Sequence, residues 1–309
     1  MLNYTVHRIL AAIPTALGVA TMVFLLLHAI PGDPVDVMLG ETAARADRAE
    51  LRAHLGLDQP IFTQYARFMT GLARGDIGES IHTGRPVAEL VVERFPATAA
   101  LAAAAALAAV LIALPLGLLS AARPGSLVDR ASLTGSLLGT ALPNFWLGPL
   151  LILFFAVQLG WFPVSGNDGP MHLVLPAITL GLSLAGILTR MTRSTVLEAM
   201  HEDYIRTARA KGVGETAAIA KHALANAITP ILSVLGLQLG SLLAGSVITE
   251  TIFAWPGLGR LTVQAIATRD YPVVQGCVLM IAGSYVLINL ATDLAYAWAN
   301  PRVRYGEQE

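Results

Sequence analysis

Seven histidines, one cysteine and two lysines carry the widest chemical repertoire in this chain, and their spacing makes little of it. The histidines (His7, His28, His54, His82, His172, His201 and His222) are scattered. No two sit at i, i+4 around a carboxylate, the arrangement that holds zinc on a protease helix. A phosphate-binding loop needs a Gly-Lys pair after a glycine-rich turn. Lys211 and Lys221 each follow an alanine, so nucleotide binding by that device is excluded. The serine-hydrolase elbow G-x-S-x-G is absent; Gly181-Leu182-Ser183-Leu184-Ala185 comes closest and lacks the second glycine. Cys277 is alone, which rules out a disulfide within the chain and reads as a small apolar packing residue. Neither a catalytic residue nor a metal site is expected.

Two polar side chains stand in apolar surroundings, Asn144 after Pro143 and Gln238. Each either lines a polar pathway or makes an ordinary interhelical hydrogen bond. No carboxylate pair accompanies them, so a carrier driven by protons or sodium has little to work with. An ion-coupled secondary carrier stays an alternative, as does a membrane scaffold or protease without transport.

The elements that must position these groups are set by what the composition lacks. Charged residues make up 13% of the 309 and hydrophobic ones 55%, with a mean hydropathy of +0.62. Soluble domains carry roughly 25% charged residues. Six windows contain no Asp, Glu, Lys or Arg: Ile9 to Gly32, Phe95 to Ala122, Ala131 to Asn167, Gly169 to Thr189, His222 to Thr249, and Tyr271 to Thr292. Each reaches the roughly 20 apolar residues that cross a hydrocarbon core about 30 Å thick. The third is read as one span ending near Leu159, with an uncharged loop through Trp161-Phe162-Pro163. The chain is thus predicted to be an all-α polytopic membrane protein with six transmembrane helices. A β-barrel is excluded, because runs such as Leu101 to Leu107 do not alternate. The first window is too long for a signal peptide's apolar core and lacks a cleavage site, so it reads as a retained span. Small residues four apart, Gly135 with Gly139 and Gly236 with Gly240, predict close helix packing within or between subunits.

Basic residues in short loops set the orientation. With the N-terminus inside, the inner segments hold eleven Lys and Arg and the short outer loops only Arg260 and Arg269. Both termini are therefore predicted cytoplasmic. Four regions follow: residues 1–30 with the first span, an extracytoplasmic segment 31–96, a core 97–298 with a cytoplasmic loop 191–227, and a cytoplasmic tail 299–309. Segment 31–96 has helical patches at Arg45 to Leu55 and Ile61 to Ala73, with turns at Gly75-Asp76 and Thr83-Gly84. It forms either a small cap that touches a partner or a loosely ordered loop. In loop 191–227, Glu198 to Ala210 reads as one helix, Lys211-Gly212-Val213-Gly214 as a turn, and Glu215 to Ala225 as a second helix. Glycine just past a helix end fits such a break. This loop is either a compact knob or a solvated basic segment that fixes topology. With a net charge of −1, nothing points to nucleic acid.

At that loop the chain resembles a known family. Glu198-Ala199-Met200-His201-Glu202-Asp203-Tyr204-Ile205-Arg206-Thr207-Ala208-Arg209-Ala210-Lys211-Gly212 and His222-Ala223-Leu224-Ala225-Asn226-Ala227 resemble the cytoplasmic loop of ABC importer permeases of the dipeptide, oligopeptide, glutathione and nickel group. The likeness extends to Ile30-Pro31-Gly32-Asp33-Pro34, Leu55-Gly56-Leu57-Asp58-Gln59-Pro60, Gly84-Arg85-Pro86-Val87, Trp255-Pro256-Gly257-Leu258-Gly259-Arg260 and Asn300-Pro301-Arg302-Val303-Arg304-Tyr305. Against the general importer pattern E-A-A-x3-G-x9-I-x-L-P, anchored on Gly212, this chain has Arg206-Thr207-Ala208 at the first three positions, His222 for Ile and Ala225 for Pro. The resemblance implies the type I importer permease fold, with the loop docking on an ATPase subunit through Tyr204, Arg206, Thr207, Ala208, Lys211, Gly212 and His222. It implies a second homologous permease subunit in a heterodimer, two ABC ATPase subunits that bind ATP and Mg, an extracytoplasmic substrate-binding protein, and a bacterial inner membrane whose lipid surrounds the spans. No cofactor is expected in this chain. The solute it implies is a dipeptide, an oligopeptide or glutathione, with nickel as the alternative.

Overall fold

The computed structural model describes residues 2–29, Val35, Ala49, Arg52, Ala53 and 56–299. The expected helical patch Arg45 to Leu55, the stop at Pro31 to Pro34 and the tail beyond Ala299 lie largely or wholly outside those residues.

Among the described residues the elements are helices: α1 (Leu2–Ala29), α2 (Ile61–Arg74), α3 (Val87–Ala122), α4 (Leu127–Ala141), α5 (Asn144–Leu151), α6 (Met171–Met200), α7 (Asp203–Ala210), α8 (Glu215–Ala217), α9 (Leu224–Ile252), α10 (Leu258–Ala267) and α11 (Tyr271–Ala299). Wide π turns continue α5 over Ile152–Gln158 and join α8 to α9 over Ala218–Ala223. Five helices are long and apolar enough to cross a membrane, or six if α4 with α5 and its π turn counts as one bent span. The charge-free windows map onto them in order.

The third window, read as a single span, is sharply bent: its two halves meet at 109°. The cause is Leu142-Pro143. Proline crowds the residue before it out of the helical region, and Leu142 is extended at φ −78, ψ 120. Pro96, Pro115, Pro176 and Pro230 stay inside their helices.

The core forms where α3, α6 and α9 pack on one another, with Leu101, Leu184, Leu188, Val196 and Ile231 buried. Small residues set the spacing. A Cβ on Gly181 would lie 2.4 Å from the Ala105 carbonyl oxygen of α3, and one on Gly186 equally close to the Ser136 carbonyl oxygen of α4. Gly117 meets Thr192 in the same way. In α9, Gly236 abuts Thr292 and Gly240 abuts Tyr285, both of α11. Gly139 lies against the Leu182 carbonyl. Gly135 is different: nothing among the described residues stands within 4 Å of where its Cβ would be, so no close approach like those at the other glycines occurs there.

α2 lies beside the end of α1. The Tyr65 and Thr21 hydroxyls are 2.8 Å apart, and Tyr65 and Phe68 meet the Phe24 ring. The turn after it follows the expectation at Gly75, which is left-handed at φ +79.

Candidate functional site

The loop between α6 and α9 differs from its expected form in two ways. The helix expected over Glu198 to Ala210 is interrupted, since α6 ends at Met200 and Glu202 is extended at ψ 149 before α7 starts. The second expected helix is not free-standing either, because α8 and its π turn run directly into α9. The knob is therefore one short helix, α7, hung between two spans.

α7 is seated through Ile205 and Ala208, three residues apart on one face and both buried. The remaining residues from His201 to Lys211 are exposed. Ala208 thus anchors the helix, while Tyr204, Arg206, Thr207 and Lys211 are presented outward. Arg206 pairs with Asp203 at 3.1 Å on the exposed surface, and the Thr207 hydroxyl donates to the Asp203 carbonyl. His222 is half-buried within the π turn.

Gly212 ends the helix. Its N–H donates to the Arg209 carbonyl at 2.9 Å, and the Val213 N–H donates to the Ala208 carbonyl at 3.1 Å. That crossed pair is a Schellman motif. It needs the left-handed backbone found at Gly212, φ +85, where an L side chain is strained. Arg209 then grips Glu215 with two hydrogen bonds of 3.1 and 2.7 Å across the turn.

Two turns before the end of α6 lies a feature that motif reading missed. Arg193 donates from Nε and Nη2 to the two carboxylate oxygens of Asp129, at 2.6 and 2.9 Å. The same carboxylate accepts from the Ser120 hydroxyl and from the Gly125 N–H at 2.7 Å. Asp129 itself is in the first turn of α4, whose N-cap is Ser126. One buried group therefore ties together α3, the α3–α4 turn, α4 and α6. Arg193 entered the sequence reading only as a topology charge. Its partner is 64 residues away, so no local pattern marks the pair.

The opposite end of the bundle holds another buried carboxylate, Glu250. Glu250 accepts from the Thr98 hydroxyl at 2.8 Å and from the Arg260 backbone N–H at 3.1 Å. Thr98 in turn accepts from the Leu258 N–H, and the Trp255 indole N–H donates to the Ala97 carbonyl at 2.8 Å. The segment Trp255-Pro256-Gly257-Leu258-Gly259 is thereby folded onto α3. A Cβ on Gly257 would sit 2.4 Å from Glu250 Oε2, and one on Gly259 2.4 Å from the Val247 Cα. Beside this turn is a polar cavity of about 140 Å³ lined by Arg94, Pro256, Gly257, Arg260, Leu261 and Gln264. That is space for on the order of five waters, and neither Asn144 nor Gln238 lines it. Both of those side chains are half-exposed. Asp293, in the last third of α11, pairs with Arg8 of α1 at 2.9 Å.

Three comparisons bear on what such a molecule is. The profile described as "Binding-protein-dependent transport system inner membrane component" matches residues 113–305. The profile of the N-terminal part of that membrane component matches residues 1–102. The glutathione transport system permease protein GsiC of Salmonella paratyphi A is 44% identical over 305 residues, covering 99% of this chain and all of that one. The di/tripeptide transport system permease protein DppB of Pseudomonas aeruginosa is 43% identical, with 99% of both chains covered. Among solved structures, an inward-facing MetNI methionine ABC transporter superposes with a TM-score of 0.55 at 22% identity, covering 68% of this chain and 96% of that one. An amino acid ABC transporter gives a TM-score of 0.51 at 19% identity, covering 69% and 94%. At that identity the structural likeness speaks to the fold alone.

Proposed function

Because this chain belongs to the family of binding-protein-dependent transport-system inner-membrane components, the permeases of ABC importers, we propose that it forms one half of the pathway of an importer for small peptides, glutathione or a dipeptide. The relatives that suggest this solute class match this chain from end to end. In this reading the other half is a second, homologous permease, so the pathway lies between two chains. ATP and Mg are handled by two ATPase subunits, and an outer binding protein delivers the solute. The N- and C-termini and α7 face the cytoplasm, which the excess of Lys and Arg in the segments on that side supports. The regions are those expected from the sequence, with 191–227 as the coupling loop.

The observation that carries the coupling role is the build of α7. Its apolar face is seated on the bundle through Ile205 and Ala208, its end is fixed by a left-handed glycine, and its polar face is free to meet a partner. ATP-driven closure of the ATPase pair would push on that face through Tyr204, Arg206, Thr207 and Lys211. A rigid helix passes such a displacement on, whereas a flexible loop absorbs it.

Co-purification with the neighbouring transport subunits, followed by uptake into vesicles, tests the proposal. The expected result is recovery of two ATPases and a second permease, and ATP-dependent uptake of glutathione or a dipeptide in the presence of the binding protein. Recovery of the chain alone, or uptake driven by an ion gradient without ATP, would overturn it.

A further inference from the structure

We propose that Asp129 and Arg193 form the clamp through which displacement of α7 is delivered to the pathway helices, acting as positioning residues and not as contacts for the solute. This inference rests on the importer reading above.

The geometry is directional. α6 runs without a break to Met200, and α7 starts at Asp203. Arg193 is therefore about 10 Å from the end of α6, at 1.5 Å per residue. α7 is joined to α6 by only two residues, His201 and Glu202, and Asp129 is where α6 is bound to its neighbours by charge. The fork of Arg193 engages both carboxylate oxygens, a geometry that fixes orientation as well as distance. Ser120 and Gly125 occupy the remaining acceptor positions, so the end of α3 and the start of α4 turn with α6. Higher up, the same helices are held at further levels. Arg190 donates to the Ser136 carbonyl at 3.2 Å, Gly186 abuts that same carbonyl, and Gly117 abuts Thr192. α3, α4 and α6 thus form one block, with the ion pair at the end next to α7.

The other exit from α7 is built differently. It passes through Gly212 and Gly214, the exposed Arg209–Glu215 pair and the π turn before reaching α9. No buried ion pair ties that side to a neighbouring helix among the described residues. The π turn is itself packed in the core beside Ile205 through Ala218, Ile219 and Ala223, an apolar contact without directional bonds, whereas the α3–α4–α6 block is joined by the charged fork that fixes orientation.

The test uses the complete complex in lipid vesicles with its binding protein, and reads ATP hydrolysed per solute imported. Arg193→Lys keeps the charge and loses the fork; Arg193→Met loses both. With Arg193→Lys, hydrolysis continues and the ATP-to-solute ratio rises about five-fold or more, and with Arg193→Met it rises further. Arg85→Met, which removes an exposed pair with Glu89 and Glu93, leaves the ratio unchanged. A second arm replaces both partners, Asp129→Cys with Arg193→Cys, in a chain whose one native thiol is buried. Bridging the new thiols with a short bifunctional reagent should restore a low ratio, which a merely structural pair would not do. An assembled Lys variant with the wild-type ratio overturns the clamp, and so does a bridged double variant that stays uncoupled. Failure of the wild-type complex to import anything would instead sink the importer reading.

Discussion

Asp129 and Glu250 are both buried carboxylates, 3% and 0% exposed, and the protein satisfies them by opposite means. Asp129, at the end next to α7, has a guanidinium fork, a hydroxyl and an N–H. Glu250, at the far end, has a hydroxyl and a backbone N–H, with two glycines pressed close around it. Charge pairing holds whole helices together, because the partners come from separate elements and each is costly to leave alone. Hydrogen bonds to backbone shape a single turn instead. The end next to α7 is thus tied as a body, whereas the far end is moulded as a local fold of residues 253–260 against α3.

The strongest way to break this contrast is Arg193→Met. It leaves a buried carboxylate without its cation, at a cost of about 3–5 kcal/mol, read as a large fall in the thermal stability of the purified complex. Adding Asp129→Leu should recover most of that stability, since a buried pair is often replaceable by apolar residues, while import stays poorly coupled. If Glu250→Gln costs as much as Arg193→Met, the distinction between the two ends fails. The expected loss is about 1–3 kcal/mol, the penalty of one mismatched buried hydrogen bond. Gly259→Ala belongs to the same turn and should cost a similar about 1–3 kcal/mol, because the added methyl group meets backbone and not a movable side chain. Gly212→Ala is expected to cost about 1–2 kcal/mol from backbone handedness alone, as the space around it is open. Its effect should appear as ATP hydrolysis uncoupled from uptake, with assembly intact. At the small end, Arg206→Ala removes an exposed i, i+3 pair worth under about 1 kcal/mol, so a change in ATPase docking without a change in melting would locate its role on the partner face.

These differences also mark what could be read from residues alone. The spans were legible because hydrocarbon tolerates so little charge, and the turn at Gly212 because one residue type dominates that backbone region. The bend at Leu142-Pro143 was not. Six other prolines sit inside helices of the same apolar character among the described residues, and composition does not say which one will interrupt. The break at His201 and Glu202 was hidden for another reason: nothing local stops a helix there. Burial of Ile205 and Ala208 on the bundle goes with a change of direction that the sequence does not carry. Residues 258–267 read as loop, yet they form a helix of ten residues that follows the folded turn held by Thr98 and Glu250. The Asp129–Arg193 pair joins positions far apart in sequence, and only the parallel run of α3 beside α6 and the antiparallel run of α4 bring them together.

The π turn over Ala218–Ala223 has a consequence for how chain length can vary. An extra residue in a regular α-helix rotates everything beyond it by about 100°, which would turn Gly236 and Gly240 away from α11. A wide turn absorbs such a residue locally, keeping the faces on either side in phase. A one-residue deletion between Ala218 and Ala223 should therefore tighten the turn to ordinary helix and leave the fifth span seated, whereas the same deletion a few turns later would unseat it. This short stretch is where insertions and deletions in the span can be accommodated.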